Sequence, residues 1–316
     1  MMLLISISAL LIGCWVISFL IEAVRSIPHT PVSPAWAKHL AFNFIEVNGV
    51  RMRFLKTGNG PPLVLLHTLR TQLDIFQHII PALAEDFTVY AVDYPGHGYS
   101  DIPRTDYDPR FFIHQTEAWL AAMQIENALL VGESIGGAIG LELLARNHPR
   151  VRSVVAINSY DYGRGRGIMR GSLPSRIVFG LSPVPVVGAM VWRCRWFGAF
   201  KTLLKGSVHK PSALPPDLVQ EMHFVGNRPG HYRAFMSLID HFAEWEALRR
   251  VYPSITKPVT LLYGEFDWST PAERTAACNL IPGAERVTVP EAGHLLSLEK
   301  PAAVIREIRK AAAMKH

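Results

Sequence analysis

Five short runs, PLVLLH (62–67), FTVYAVD (87–93), ALLVG (128–132), VRSVVAIN (151–158) and PVTLLYG (258–264), are largely apolar and rich in β-branched residues. A strand with one wet face alternates polar and apolar residues. A continuous apolar run needs cover on both faces, the situation of a strand inside a parallel sheet. Between these runs lie helical patterns: TQLDIFQHIIPAL, RFFIHQTEAWLAAM, SIGGAIGLELLARN and PAERTAACNLI. Strand and helix in alternation predict a doubly wound α/β sheet. Ahead of the first run, AFNFIEVNGVRMRFLKTG reads as two strands turning at Asn48-Gly49, a dipeptide that tolerates positive φ. With 316 residues, 49% hydrophobic and 18% charged, the chain can bury one large core and is not of the disordered class. Three scattered cysteines, Cys14, Cys194 and Cys278, make neither a disulfide framework nor a zinc site.

The alternation breaks between about residues 159 and 250, where no buried strand is evident and the composition is too apolar for a simple loop. This segment reads as a helical insertion between two strands of the sheet. From Tyr162 to Pro216 it holds nine Lys or Arg and no acid. The formal charge of the whole chain is +6, so the remainder sums to −3 and the basicity belongs to the insertion. IVFGLSPVPVVGAMVW (177–192) and the aromatics Trp192, Trp196, Phe197 and Phe200 are interleaved with those charges. Basic groups beside Trp and Phe suit a surface lying on anionic lipid. They equally suit a lid whose apolar side faces a substrate pocket, and the sequence leaves both open. Nothing in the pattern points to nucleic acid, and oligomeric state is not legible.

At the N-terminus, MMLLISISALLIGCWVISFLI runs 21 residues without a charge before Glu22 and Arg25. At 1.5 Å per residue it would reach across roughly the 30 Å hydrocarbon core of a bilayer. A cleaved signal sequence, which would leave the domain secreted or periplasmic, usually has a basic start, about 7–15 apolar residues and a small-residue cleavage site. None of these is clear, so an uncleaved single-pass anchor over residues 1–25 is the expectation. Leu11-Ile12-Gly13-Cys14 resembles a lipoprotein box, but the apolar run continues for seven residues beyond Cys14. Arg25 and Lys38 follow the span and no basic residue precedes it, which by the positive-inside rule keeps the domain cytoplasmic. Two charges leave the side open. SIPHTPVSPAWA, with Pro28, Pro31 and Pro34, reads as an extended spacer within 26–40.

The chemistry is carried by LLVGESIGGA (129–138). Gly132-Glu133-Ser134-Ile135-Gly136 is a G-x-S-x-G pattern with a strand before it and a helix after it. Glycines around the serine imply a turn so tight that side chains on its neighbours would collide with the flanking strand and helix. The helix that starts there directs its first N–H groups toward the reacting centre. A serine needs a base, and the base needs an orienting acid. His294, in VPEAGHLLSLEKP, follows a predicted strand. Asp267, in LLYGEFDWSTP, stands three residues after Gly264 at the carboxyl end of another. Sites of open α/β sheets form outside those carboxyl ends, so the three can converge. Asp161, just past VVAIN, is the alternative acid. Glu133 and Trp268 flank catalytic positions and read as packing residues. His67, His78, His97 and His114 read as structural hydrogen-bonders, and no metal is assigned.

From about residue 41 onward the chain resembles the α/β-hydrolase superfamily. In style it is similar to the branch holding epoxide hydrolases, haloalkane dehalogenases, cofactor-free haloperoxidases, C–C bond hydrolases and small esterases. LVLLHT, AVDYPGHGYSD, VGESIGG and the GEFD…GH tail carry the resemblance. It implies a mostly parallel sheet with helices on both faces. The core would comprise residues 41–158 and 251–316, with a helical lid over 159–250. Asp93, Gly96, Gly98 and Ser100 match the family's structural D-x-x-G-x-G-x-S turn. Ser134 stands where epoxide hydrolases and haloalkane dehalogenases place an aspartate, which argues against those two chemistries. After LVLLH the family usually shows His-Gly, whereas this chain has His67-Thr68-Leu69. By position, the oxyanion donors implied are the backbone N–H groups of Leu69 and Ile135. Thr68 tolerates positive φ badly, so the loop is expected to be reshaped, weakening the oxyanion hole. Arg70, where the family often has a small residue or proline, either pairs with a substrate carboxylate or phosphate or is a surface arginine.

The function expected is a cofactor-free serine hydrolase acting on a small hydrophobic ester or acyl substrate, with membrane lipid as neighbour. Alternatives are a C–C hydrolase or haloperoxidase on the same three residues, and a catalytically weak scaffold or lipid-surface protein on this fold.

Overall fold

A computed structural model of the chain describes residues 2–26 and 34–314. Eight strands form one sheet in the order β1-β2-β4-β3-β5-β6-β7-β8. They are β1 (Phe42–Val47), β2 (Val50–Thr57), β3 (Pro62–Leu66), β4 (Thr88–Val92), β5 (Ala128–Glu133), β6 (Val151–Ile157), β7 (Val259–Gly264) and β8 (Glu285–Val289). β1 and β2 form the expected hairpin, with Asn48 at φ 52° and Gly49 at φ 73° between paired Val47 and Val50. β2 runs antiparallel to β4, and every pairing from β4 through β8 is parallel.

The continuous apolar runs have a direct structural cause. Along β3, Val64 and Leu66 belong to one core while Leu63 and Leu65 belong to the other. β5 divides likewise, Leu130 to the first and Leu129 and Val131 to the second. Among the described residues ten α-helices have seven residues or more: α1 (Met2–Ala23), α2 (Pro109–Ala122), α3 (Ile135–Ala145), α4 (Leu173–Leu181), α5 (Val187–Arg193), α6 (Phe197–Lys205), α7 (Pro216–Val225), α8 (His231–Asp240), α9 (Pro271–Leu280) and α10 (Pro301–Ala313). α2, α3 and α9 cover the first face; α10, through Val304, Ile308 and Ala311, covers the second. Between β6 and β7 the described residues form only helices and turns, α4 to α8 among them. The Asp93 turn is knit as expected. Ser100 Oγ donates to Asp93 O at 2.7 Å, and a Cβ on Gly98 would lie 1.9 Å from Asp93 Oδ2.

The N-terminal expectation fails. Among the described residues no helix is long and apolar enough to cross a membrane, which overturns the transmembrane anchor placed at residues 1–25 and the membrane localisation drawn from it. The second half of α1 shows what it does instead, for it packs along α5 of the insertion. The Arg193 guanidinium lies 3.6 Å from the Phe19 ring centroid, and Glu22 takes both terminal nitrogens of Arg195 at 2.7 and 3.0 Å. Arg25 donates to the carbonyls of Arg193 and Arg195 at 2.5 and 2.9 Å. Ser18, Glu22 and Arg25 thus give the helix a polar docking edge that a run of charge-free residues does not reveal. Most of the expected spacer, residues 27–33, lies outside the described residues.

Candidate active site

β5 ends at Glu133 and α3 begins at Ile135, so the whole reversal falls on Ser134, at φ 60° and ψ −116°. A residue with a Cβ takes such a conformation only where its surroundings impose it. They do so here. Ser134 N donates to Ile157 O at 2.8 Å, and Ser134 O accepts from Tyr160 N at 3.1 Å. The flanking glycines are required by proximity, since neither has a positive φ. A Cβ on Gly132 would lie 2.1 Å from the Gly136 backbone, and one on Gly136 would lie 2.1 Å from Leu66 O. These obstacles are backbone atoms, which cannot swing aside.

The imidazole of His294 reaches Ser134 from the loop after β8. Its Nε2 is 2.9 Å from Ser134 Oγ, and its Nδ1 is 2.5 Å from Asp267 Oδ1. With Nδ1–H donating to the carboxylate, Nε2 is left to accept from the serine hydroxyl. Asp267, three residues past the end of β7, also accepts from Ser269 N at 2.9 Å through its second oxygen. Serine, histidine and carboxylate are each 8% exposed or less. The alternative acid is engaged elsewhere: Asp161 accepts from Arg249 at 3.0 Å, Tyr252 at 2.7 Å and Ser159 at 3.0 Å.

Trp268, read from the sequence as a packing residue, stacks its indole on the His294 ring, with centroids 3.7 Å apart and planes 12° from parallel. Two further neighbours carry no signal in the sequence. Asn158 donates to Gly293 O at 3.0 Å and His294 O at 2.9 Å, while its Oδ1 accepts from Gly264 N at 2.9 Å. One amide therefore ties the end of β6 to both the acid-bearing and the imidazole-bearing loops. Ser207 O, from the insertion, receives the N–H groups of His294 and Leu295, both at 2.9 Å.

Ile135 directly follows the serine and Leu69 lines the cavity beside His294, and among the described residues neither N–H is spent on a backbone carbonyl. The expected strain at Thr68 is absent, because the positive φ of this loop falls on Arg70, at 58°. Thr68 O instead accepts from the His67 ring at 2.7 Å and from Thr71 Oγ1 at 2.9 Å. His67 Nε2 accepts from Tyr94 N at 3.1 Å. Burial pulls His67 and His97 down to about 3, so both are neutral hydrogen-bonders. Burial pushes Glu133 up to about 7, although Ser297 N donates to it. Among the described residues no His, Cys, Asp and Glu side chains gather as a metal ion would require.

Beside His294 lies a cavity of about 60 Å³ walled by Ile168, Phe179, Trp192, Phe200 and Phe235. The insertion thus turns part of its aromatic set inward, while Trp196 and Phe197 remain 66% and 40% exposed. A second cavity of about 450 Å³ lies between α1 and the insertion and shares Arg70, Trp192, Phe200 and Leu203 with the first.

A family model described as the alpha/beta hydrolase fold matches residues 61–177. The chain is 30% identical over 241 residues to the pimeloyl-[acyl-carrier protein] methyl ester esterase of Stenotrophomonas maltophilia, covering 75% of this chain and 87% of that protein. It is 24% identical over 277 residues to the 2-(acetamidomethylene)succinate hydrolase of Mesorhizobium japonicum, 85% of this chain and 94% of the relative. Among solved structures, the enol-lactonase of Burkholderia xenovorans LB400 superimposes with a TM-score of 0.69 at 23% identity, over 86% of this chain and 100% of that one.

Proposed function

From the premise that this chain belongs to the α/β-hydrolase superfamily and is a hydrolase, we propose that it is a serine hydrolase cleaving carboxylic esters of hydrophobic acyl groups. The observation that carries the reading is the unbroken hydrogen-bond run from Ser134 Oγ through His294 to Asp267, with His294 lining an apolar cavity. Ser134 Oγ attacks the ester carbonyl as His294 Nε2 takes its proton. Asp267 holds the ring in the required tautomer and stabilises it while it is charged. The oxyanion is received by the N–H groups of Leu69 and Ile135, at the positive end of α3. His294 then protonates the leaving alkoxide, and water activated by the same ring releases the acid. The esterase relative is named for a methyl ester, which supports an ester as the bond cleaved.

The test is labelling by a fluorophosphonate together with hydrolysis of p-nitrophenyl esters of increasing chain length. The wild type should be labelled and Ser134→Ala should not, with kcat reduced by roughly 10⁴-fold or more. Equal labelling of both proteins, or none of the folded wild type, would end the reading.

A further inference from the structure

Arg70 presents a charge for which the described residues supply no counter-ion. It follows Leu69 directly and stands at the boundary of the two cavities, lining both. Its Nη1 is 3.3 Å from His231 Nε2, and its guanidinium carbon lies 5.2 and 5.5 Å from the Phe200 and Phe235 ring centroids. Among the described residues no carboxylate comes within ion-pair distance. The neighbouring cations offer none to share, because Glu22 is already committed to both Arg195 and Arg25. Burial, with Arg195 and Arg25 adding repulsion, pulls Arg70 down to about 9, which still leaves it cationic at neutral pH. Two aromatic faces offset part of the desolvation of a guanidinium, but a half-buried cation with no carboxylate beside it remains costly.

The position is also built to hold the group. A Cβ on Gly226 would lie 2.2 and 2.3 Å from the two terminal nitrogens of Arg70. Gly226 has φ −64° and ψ −8°, a conformation open to any residue, so what a side chain there would displace is the guanidinium. A preorganised planar fork with spare donors matches the oxygens of a carboxylate or phosphate. Around it the larger cavity is apolar, walled by Cys14 and Ile17 of α1 and by Val178, Met190 and Ala199.

We infer that Arg70 is the specificity-determining residue of this site: the ester accepted is an amphiphile whose carboxylate or phosphate binds the guanidinium while its apolar chain occupies the chamber between α1 and the insertion. This rests on the hydrolase reading for the word ester, and on the two cavities for the rest.

The experiment uses the full chain and two matched pairs. One is p-nitrophenyl hexanoate with the mono-p-nitrophenyl ester of adipic acid. The other is a monoacylglycerol with the corresponding acylglycerol phosphate. Wild type should prefer the anionic member of at least one pair, and the pair that responds separates carboxylate from phosphate. Arg70→Gln should lower the anionic-to-neutral ratio of kcat/KM by about tenfold or more, and Arg70→Lys should restore part of it. A ratio unchanged within about twofold in both pairs overturns the inference. Calorimetry on Ser134→Ala, with and without Arg70→Gln, supplies a readout free of turnover. Decanoate or decyl phosphate should bind more tightly than decanol, and the preference should vanish with Arg70→Gln. If Ser134 is never labelled yet the anion preference holds, the hydrolase reading fails and this one stands. If Ser134 is labelled and the preference is absent, the reverse follows.

Discussion

Asn158 illustrates how little of a site's rigidity resides in the groups that face substrate. Its amide satisfies two carbonyls and one N–H more than 100 residues away, the carbonyls in the loop that holds His294 and the N–H at the end of β7, where the loop to Asp267 begins. Asn158→Ala should leave three buried backbone groups without a partner, at about 1–3 kcal/mol each where no water replaces the amide. Urea unfolding will report that loss. Because the imidazole would be held less firmly, kcat should fall by roughly 10–100-fold with KM little changed, and Asn158→Asp should recover less stability than a simple isostere would. Equal loss in kcat and KM would mean that the pocket itself had collapsed. Ser134, His294 and Asp267 were legible because each sits in a short motif at the carboxyl end of a strand. Asn158 and Ser207 were not, since their roles exist only once distant segments have met. Arg70 was visible in the sequence, but that no carboxylate among the described residues pairs with it was not.

At the scale of elements, the sheet was legible and so was the first helix, but not what the helix packs against. The parallel strands are buried on both faces, and that burial writes itself into the sequence as unbroken apolar runs. α1 carries the same apolar signature for a different reason. It covers one side of a chamber and fastens to the insertion through Glu22, Arg25 and Phe19. Hydropathy counts apolar residues and is blind to whether their neighbour is lipid or protein. The docking predicts that Glu22→Gln will destabilise the fold by about 2–4 kcal/mol, because Arg195, 6% exposed, would keep its charge and lose its carboxylate. A double-mutant cycle with Arg195→Met isolates the coupling from the loss of either side chain. Additive effects would show that α1 is held by its apolar face alone.

For the whole molecule, the most informative titration belongs to Glu133, the buried last residue of β5, directly before the nucleophile. Burial raises its carboxyl from an ordinary 4.5 to about 7. Between those values the folded protein holds a proton that the unfolded chain has released, so stability falls as pH rises. The contribution is fully present below pH 4.5, is lost progressively through pH 7, and is constant above. Each pH unit separating the folded and unfolded values is worth about 1.4 kcal/mol, so the protein should lose roughly 3 kcal/mol on this account between about pH 4.5 and 8. His67 and His97 pull the other way, since both are neutral when folded and protonate on unfolding below their ordinary range. A single stability profile therefore mixes opposed slopes. Comparison with Glu133→Gln removes the ambiguity, because the histidines are common to both proteins and cancel. Gln can still accept the Ser297 N–H, and any difference in packing is the same at every pH. The stability of Glu133→Gln relative to wild type should accordingly rise by about 3 kcal/mol from about pH 5 to 8.5, measured by urea denaturation at each pH. A flat difference would mean that the carboxylate is ionised in the folded protein throughout, with water or an unpaired donor reaching its second oxygen behind the serine turn.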